Sequence, residues 1–195
     1  MLIAIDPGTS CGYATSDGTI GSVPLWREPR NGRQARKASF FLTGERKGTL
    51  RKPGIAAEPA VDDGPRWTRA GRIYDLLERL AEGLAGEMIT VICEAPPPFM
   101  SPKMRKSLEI LDNMRGAVMA WCFHANARLE LINPIDLKRF ATGKGVADKV
   151  EMVAAARAKL GYAGDDDNEA DALWLLAWAR EHVHTAIGVS GSSGK

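Results

Sequence analysis

Three short apolar runs lie close together at the start of the chain and predict the first strands of a sheet. Residues 2–5 form the first run, which ends in Asp6-Pro7-Gly8, a sequence typical of a turn. Residues 12–14 and 20–26 predict two more strands, joined through Asp17-Gly18 as a hairpin turn. The chain therefore opens with a small group of neighbouring strands.

Two further strands are predicted later in the chain. Residues 89–93 are a continuous apolar and β-branched run, as expected of a strand that is buried on both faces. This run ends in Glu94, and the three prolines that follow prevent the strand from continuing. Residues 128–132 predict the next short strand.

Elsewhere, apolar side chains recur at three- and four-residue spacings, which predict helices. The predicted helices begin near Pro65, Ser101, Asp148 and Asn168. Gly86 is predicted to end the first and Gly161 the third, and the last is predicted to reach about Val183. Asp148 and Glu151 have the spacing of a capping box. Early strands followed by strands alternating with helices indicate an α/β or α+β sheet layered with helices.

The length of 195 residues fits one domain, and 45% hydrophobic with 26% charged residues is ordinary globular usage, so the body of the chain is expected to fold. We predict a single domain over residues 1–187, an insertion at about 27–66, and a flexible Gly/Ser-rich tail over 188–195. The first residues lack the features of a signal peptide, and no stretch is apolar enough to span a membrane. Three widely spaced cysteines in apolar surroundings predict buried thiols in a reducing cytoplasm.

The insertion is strongly basic. Residues 27–52 hold nine basic and two acidic residues, a net charge of +7, and since the whole chain carries +2, the remainder carries −5. The basic residues are Arg27, Arg30, Arg33, Arg36, Lys37, Arg46, Lys47, Arg51 and Lys52. Apart from a candidate strand at 38–43, the periodicity fails here. Two interpretations stay open: contact with nucleic-acid phosphates, with Arg33, Arg36 and Lys37 as candidates, or a solvated, mobile loop.

Three acids occupy positions where an acid is unexpected without a function. Asp6 and Glu94 each end an apolar strand, and Asp171 lies in the predicted first turn of the apolar last helix. Each alone has an ordinary explanation: a turn residue, a surface acid at a strand end, and compensation of the helix dipole. A carboxylate among buried residues is costly, however, unless it is paired or binds a metal. Together the three predict a site for hard divalent cations, which prefer oxygen ligands.

The surroundings of these acids resemble a known family. Residues 3–8, 91–94 and 169–173, in this order, look like the acidic motifs of RuvC-type Holliday-junction resolvases of the ribonuclease H-like fold. The resemblance implies an α/β fold with a mixed five-stranded sheet and helices on both faces. It also implies that Asp6, Glu94 and Asp171 are catalytic residues that bind two Mg²⁺ ions, with Mn²⁺ as an alternative.

A lysine-containing segment strengthens the resemblance. Residues 133–138 and 143–149 are similar to the family's Pro-x-x-x-Lys segment and its Gly-x-Gly-x-Ala-x-Lys loop, with the two lysines eleven residues apart. This similarity implies that Lys138 and Lys149 contact DNA near the scissile phosphate. The resemblance covers residues 1 to about 13 and 67 to about 179, but not the basic insertion.

One position departs from the family's pattern. A fourth ligand, an acid or a histidine, is expected one helical turn before Asp171, and Asn168 stands there instead. Residues three apart lie on the same side of a helix, so Asn168 is a candidate ligand through its amide oxygen or through water. Asp167 is the other candidate, if its side chain turns inward.

The resemblance implies a divalent-metal-dependent endonuclease that resolves four-way DNA junctions by paired phosphodiester hydrolysis. Since two symmetric nicks need two active sites, a homodimer is expected. Phe99 lies in the loop after Glu94, where an aromatic ring is able either to wedge between DNA bases or to pack locally.

Three other functions stay open. A general branched-DNA or flap endonuclease shares the fold, and fold alone does not choose the substrate. A non-catalytic junction-binding protein is favoured only by Asn168. Residues 6–10 also resemble the first phosphate loop of actin-like sugar kinases, but the chain lacks the second Gly-rich loop and second domain that those kinases need.

Overall fold

A computed structural model describes residues 1–8, 10–25, 68–96 and 105–187, with the backbone alone at 105–107 and 184–187. The first strands are β1 (Leu2–Asp6), β2 (Ser10–Thr15) and β3 (Ile20–Pro24). They are followed by α1 (Thr68–Leu80), β4 (Thr90–Glu94), α2 (Arg105–His124) and β5 (Arg128–Ile132). The chain continues through α3 (Pro134–Thr142), α4 (Lys149–Leu160) and α5 (Asp167–Ile187).

The strands form one mixed sheet in the order β3-β2-β1-β4-β5. Strand β2 pairs antiparallel with both β1 and β3, whereas β4 pairs parallel with both β1 and β5. Because β1 and β4 are parallel neighbours, with Ile5 opposite Cys93, their last residues Asp6 and Glu94 lie at the same edge of the sheet. The five-stranded α/β sheet agrees with the fold that the sequence resemblance implied.

Alternate residues of the strands enter two separate cores. Leu2 and Ala4 pack with α3, α4 and α5 on one face, and Ile3 and Ile5 pack with α1 and α2 on the other. The sheet therefore has helices on both faces, as expected. Cys11, Cys93 and Cys122 are buried and unpaired, in agreement with the sequence-based prediction.

Several boundaries differ from the sequence-based predictions. Helix α1 ends at Leu80 rather than near Gly86, because the chain turns after it and Gly83 takes a positive φ of 82°. Leu84, which follows this turn, packs on the core of the α1–α2 face. Strand β3 ends at Pro24 rather than at position 26. Helix α5 begins at Asp167, so Asp171 lies in its second turn rather than its first.

Helix α3 was not predicted, although its boundaries have clear signals. The Asn133 side chain accepts a hydrogen bond from the Ile135 backbone N–H, and Pro134 occupies the first helical position. Gly143 ends the helix in the left-handed conformation, with φ of 80°. By contrast, the capping box of Asp148 and the end of α4 at Gly161 are found as predicted.

Some predictions fall outside the described residues. These are the basic insertion with its candidate strand at 38–43, the start of the second predicted helix, and the tail. Within the described part of the chain, no helix is long and apolar enough to cross a membrane.

Candidate active site

The three predicted carboxylates come together on the α3–α5 face of the sheet. Asp6 and Glu94 end the adjacent strands β1 and β4, and each continues the alternation that points Ala4 and Ile92 toward this face. Helix α5 packs on this face, where Ala170 and Ala172 on either side of Asp171 belong to the same core. The fold thus gathers three acids that are far apart in the sequence.

Burial raises the pKa of all three carboxyl groups, and repulsion by neighbouring carboxylates adds to it at Asp6 and Asp171. Burial, followed by the charges of Glu94 and Asp171, raises the pKa of Asp6 well above its usual range. Burial, followed by the charges of Glu94 and Asp167, raises the pKa of Asp171 to about 7. Burial also raises the pKa of Glu94. The group therefore favours any cation that neutralises these charges.

The two predicted lysines face these acids. Lys138 of α3 lowers the pKa of both Glu94 and Asp171, which shows that its charge lies near them. Lys149, the first residue of α4, lowers the pKa of Asp6 and Asp171 and forms an ion pair with Asp167. Two cations from separate helices thus border the carboxylates. Their charges offset the repulsion that the carboxylates would exert on an anionic phosphate.

Asn168 faces the site with its amide oxygen. Its backbone N–H and its side-chain Nδ2 both donate to Asp166 Oδ1, at 2.9 and 3.0 Å. The Asn168 Oδ1 atom is directed away from Asp166, toward the turn that follows Asp6. It lies 3.9 Å from the place where a Cβ on Gly8 would stand. Asp167, the alternative candidate, is instead engaged by Lys149. Asp167 nevertheless lies near the carboxylates, since its charge raises the pKa of Asp6 and of Asp171, so both candidates border the site.

Asp166 orders this region, and the sequence analysis missed it. Besides the Asn168 groups, its carboxylate accepts a hydrogen bond from Ser22 Oγ on β3 at 2.8 Å and a longer one from the Glu169 N–H at 3.4 Å. These contacts hold the pKa of Asp166 below its usual value despite partial burial. An acid directly before an apolar helix is a recognisable N-cap signal, but its contact with β3 is not readable from sequence.

Glycine 12 lets α5 approach the sheet. A Cβ at Gly12 would stand 1.8 Å from the backbone oxygen of Asn168, so any side chain there forces the two segments apart. Gly12 is opposite Asp6 in the β1–β2 register. The close approach therefore brings the start of α5 directly to the end of β1.

The donors at this site fit a hard divalent cation. Carboxylate and amide oxygens are the ligands that Mg²⁺ and Mn²⁺ take, and the raised carboxyl pKa values mark a site where positive charge is missing. Within the described residues, no three His, Cys, Asp or Glu side chains are drawn together tightly enough to hold one ion as they stand. Phe99, Arg33, Arg36 and Lys37, the other candidate site residues, lie outside the described residues.

The order and directions of the five strands, with helices on both faces, describe a ribonuclease H-like α/β fold. Similar solved structures include Thermus thermophilus RuvC, with a TM-score of 0.53 and 19% identity over 95% of this chain and 96% of that chain. Another is T. thermophilus RuvC in complex with Holliday junction substrate, with a TM-score of 0.55 and 17% identity over 95% of both chains. No family model and no curated protein matches the sequence. The comparisons therefore establish the fold.

Proposed function

We propose that this protein is a divalent-metal-dependent endonuclease that resolves four-way DNA junctions. The observation that carries the proposal is the grouping of three half-buried carboxylates, Asp6, Glu94 and Asp171, on one face of a ribonuclease H-like sheet. Their partial burial is costly without a cation, and a divalent cation is able to activate a water for phosphodiester hydrolysis. A purely structural role leaves this cost only partly compensated, by the charges of Lys138 and Lys149.

Each residue of the site has a role in this proposal. Asp6, Glu94 and Asp171 hold the metal ions, and Asn168 adds its Oδ1. Bound Mg²⁺ or Mn²⁺ supplies an activated water and stabilises the leaving oxygen. Lys138 and Lys149 bind the phosphate whose ester bond is broken, and Lys149 exchanges Asp167 for that phosphate when DNA arrives.

Two observations favour branched DNA as the substrate. One similar solved structure is a RuvC in complex with Holliday junction substrate. The sequence places a net charge of +7 in residues 27–52, outside the described residues, which suits a second contact with the DNA backbone. Two matched nicks across a junction require two active sites, so the active species is a homodimer.

The test compares three synthetic DNA substrates: a four-way junction, a flap and a linear duplex. We expect Mg²⁺-dependent, paired nicks in the junction, with 5′-phosphate and 3′-hydroxyl ends, loss of cleavage in EDTA, and a dimer by light scattering. Preferred cleavage of the flap would favour a general branched-DNA endonuclease. Junction binding without cleavage would favour a non-catalytic binding protein, and ATP hydrolysis without nicking would favour an actin-like ATPase.

The basic segment has a separate test. Each cation that neutralises a phosphate steepens the fall of log affinity with log salt by roughly 0.9. Replacing Arg33, Arg36, Lys37 and Arg46 by glutamine should therefore flatten this slope, while single-turnover cleavage at saturating enzyme and low salt survives. An unchanged slope would return the segment to the solvated-loop interpretation.

A further inference from the structure

Arg115 is a buried cation on the face of the sheet opposite the carboxylates. It belongs to α2, which packs with α1 on the face that receives Ile3 and Ile5. Only 7% of the residue is exposed, and arginine is seldom buried this deeply unless its donors are paired. The partners of its guanidinium group therefore indicate the role of Arg115.

The guanidinium group of Arg115 hydrogen-bonds to the backbone at the end of β4. Arg115 Nε donates to the carbonyl oxygen of Glu94 at 3.0 Å, and one terminal nitrogen makes a longer contact of 3.5 Å with the carbonyl of Ala95. The other terminal nitrogen donates to Asp112 Oδ1, one turn earlier on α2, at 2.9 Å. Two consecutive carbonyls thus meet one rigid fork of donors.

The strand end needs this support because the sheet stops there. The Ala95 N–H still donates to the Ile132 carbonyl of β5, but residues 96–98 are prolines, which have no N–H to offer. The chain therefore has no backbone donor to offer to a sheet hydrogen bond over residues 96–98. Arg115, which projects from α2, holds the end of the strand through the carbonyls of Glu94 and Ala95.

The Glu94 side chain and Arg115 lie on opposite faces of β4. Glu94 shares the α3–α5 face with Ile92, whereas the donors of Arg115 reach the strand from the α2 face. Arg115 is therefore separated from the site by the strand itself. Arg115 acts on Glu94 in two ways: it holds the backbone that carries the side chain, and its charge lowers the pKa of the Glu94 carboxyl group. Arg115→Lys keeps the charge, so this variant tests the backbone contact alone.

We propose that Arg115 is a positioning residue that sets the metal affinity of the site by fixing the backbone from which Glu94 projects toward Asp6 and Asp171. This inference rests on the proposed function, since it takes the three acids as the metal site. Outer residues that orient metal ligands typically contribute about 10- to 100-fold in metal affinity or activity. We expect Arg115 to act within this range.

The test uses Arg115→Lys, which keeps the charge but lacks the planar fork, and Arg115→Met, which keeps most of the volume. The Mg²⁺ concentration for half-maximal rise in Tm and that for half-maximal cleavage are measured beside junction affinity in EDTA. We expect both variants to need at least about tenfold more Mg²⁺ than the wild type in both measurements. Junction affinity in EDTA should be unchanged. If Arg115→Met does not fold, Arg115→Lys carries the test.

Arg72→Lys is the matched control. Arg72 of α1 also donates from a helix to a backbone carbonyl, that of Leu25, at 2.7 Å, but it lies away from Glu94. We expect this control to keep the wild-type Mg²⁺ requirement. A wild-type requirement in Arg115→Lys, with only a lower Tm of the metal-free protein, would overturn the inference and show a purely structural role. A wild-type protein whose Tm and cleavage ignore Mg²⁺ would instead overturn the proposed function, and the inference with it.

Discussion

The two faces of the sheet use alternate residues of the same strands for opposite purposes. On the α1–α2 face, Ile3 and Ile5 of β1 enter an apolar core that also receives Cys11 and Cys122. On the α3–α5 face, the same strand contributes Leu2 and Ala4 and then ends in Asp6, a half-buried carboxyl group whose pKa is raised by the charges of Glu94 and Asp171. Ile5 and Asp6 are adjacent in β1, so neighbouring residues of one strand serve core packing on one face and the candidate site on the other.

The two faces contribute differently to the stability of the fold. The apolar face gains from burial at little electrostatic cost, whereas the opposite edge collects like charges that repel one another until a cation arrives. Arg115 connects the two, since it is held in the apolar face and contacts the backbone that carries Glu94. The first face supplies the rigidity that the second needs.

The largest expected effect is that of Asp6→Asn, which removes a charge without changing volume. We expect junction cleavage to fall by about a thousandfold or more, with junction binding in EDTA retained, because the proposed central ligand of the metal ions loses its charge. Glu94→Gln and Asp171→Asn should behave alike, and the three effects should not add, since the residues act as one unit.

Ile5→Val is the control for Asp6→Asn, because it alters the adjacent residue of β1 on the other face. It should cost about 0.5–1.5 kcal/mol in the free energy of unfolding and leave cleavage unchanged. Substantial Mg²⁺-dependent nicking by Asp6→Asn, or a comparable loss in Ile5→Val, would mean that the two faces do not divide the work in this way.

Gly12→Ala should have the next largest effect. Its Cβ would stand 1.8 Å from the Asn168 backbone oxygen, so α5 must move away from β2. We expect a loss of about 2–3 kcal/mol in the free energy of unfolding by urea, together with weaker cleavage, because Asp171 moves with the helix. Gly71→Ala, in the exposed face of α1 with open space around its Cα, should instead be neutral or stabilise by up to about 1 kcal/mol. Equal effects of the two substitutions would contradict the close approach.

Local signals in the sequence predicted much of the fold. Strand β5 and the capping box of Asp148 match their predicted positions, because both depend on side chains within a few residues of each other. The grouping of Asp6, Glu94 and Asp171 was expected from the family resemblance, and the sheet register explains it.

The supporting contacts were not predictable in the same way. The contacts of Arg115 were not predicted, because spacing along a helix cannot show that its donors reach carbonyls 20 and 21 residues away. The same holds for Ser22 and Asp166, which meet 144 residues apart in the sequence. Side-chain contacts of this range depend on how the helices pack, which residue patterns do not specify.

Asp171→Asn should stabilise the metal-free protein in a pH-dependent manner. The folded-state pKa is about 7, against the ordinary 3.8, so folding is penalised once the unfolded chain ionises. The penalty is absent below about pH 4, grows as the pH rises toward 7 and is complete above it. In EDTA at pH 8 we expect the variant to melt roughly 2–4 °C above wild type, as about 1 kcal/mol gives, and the difference to vanish near pH 4. Mg²⁺ should stabilise wild type more than the variant. A variant that melts below wild type at pH 8 would show that the carboxylate is already compensated within the protein.

Lys149→Ala should have the smallest effect on stability and a defined effect on DNA binding. The ion pair of Lys149 with Asp167 is largely exposed, with 76% of the lysine side chain accessible, so its loss should cost at most about 1 kcal/mol. If Lys149 transfers to a phosphate when the junction binds, the salt dependence of junction affinity should become shallower by roughly 0.9. Asp167→Asn should act in the opposite direction and raise junction affinity, because Lys149 is then free of its competing partner. Lys159→Ala, which removes a lysine bound to the Ala141 carbonyl, provides the control and should leave the slope unchanged. Wild-type turnover and an unchanged slope in Lys149→Ala would show that this lysine serves α4 and Asp167 alone.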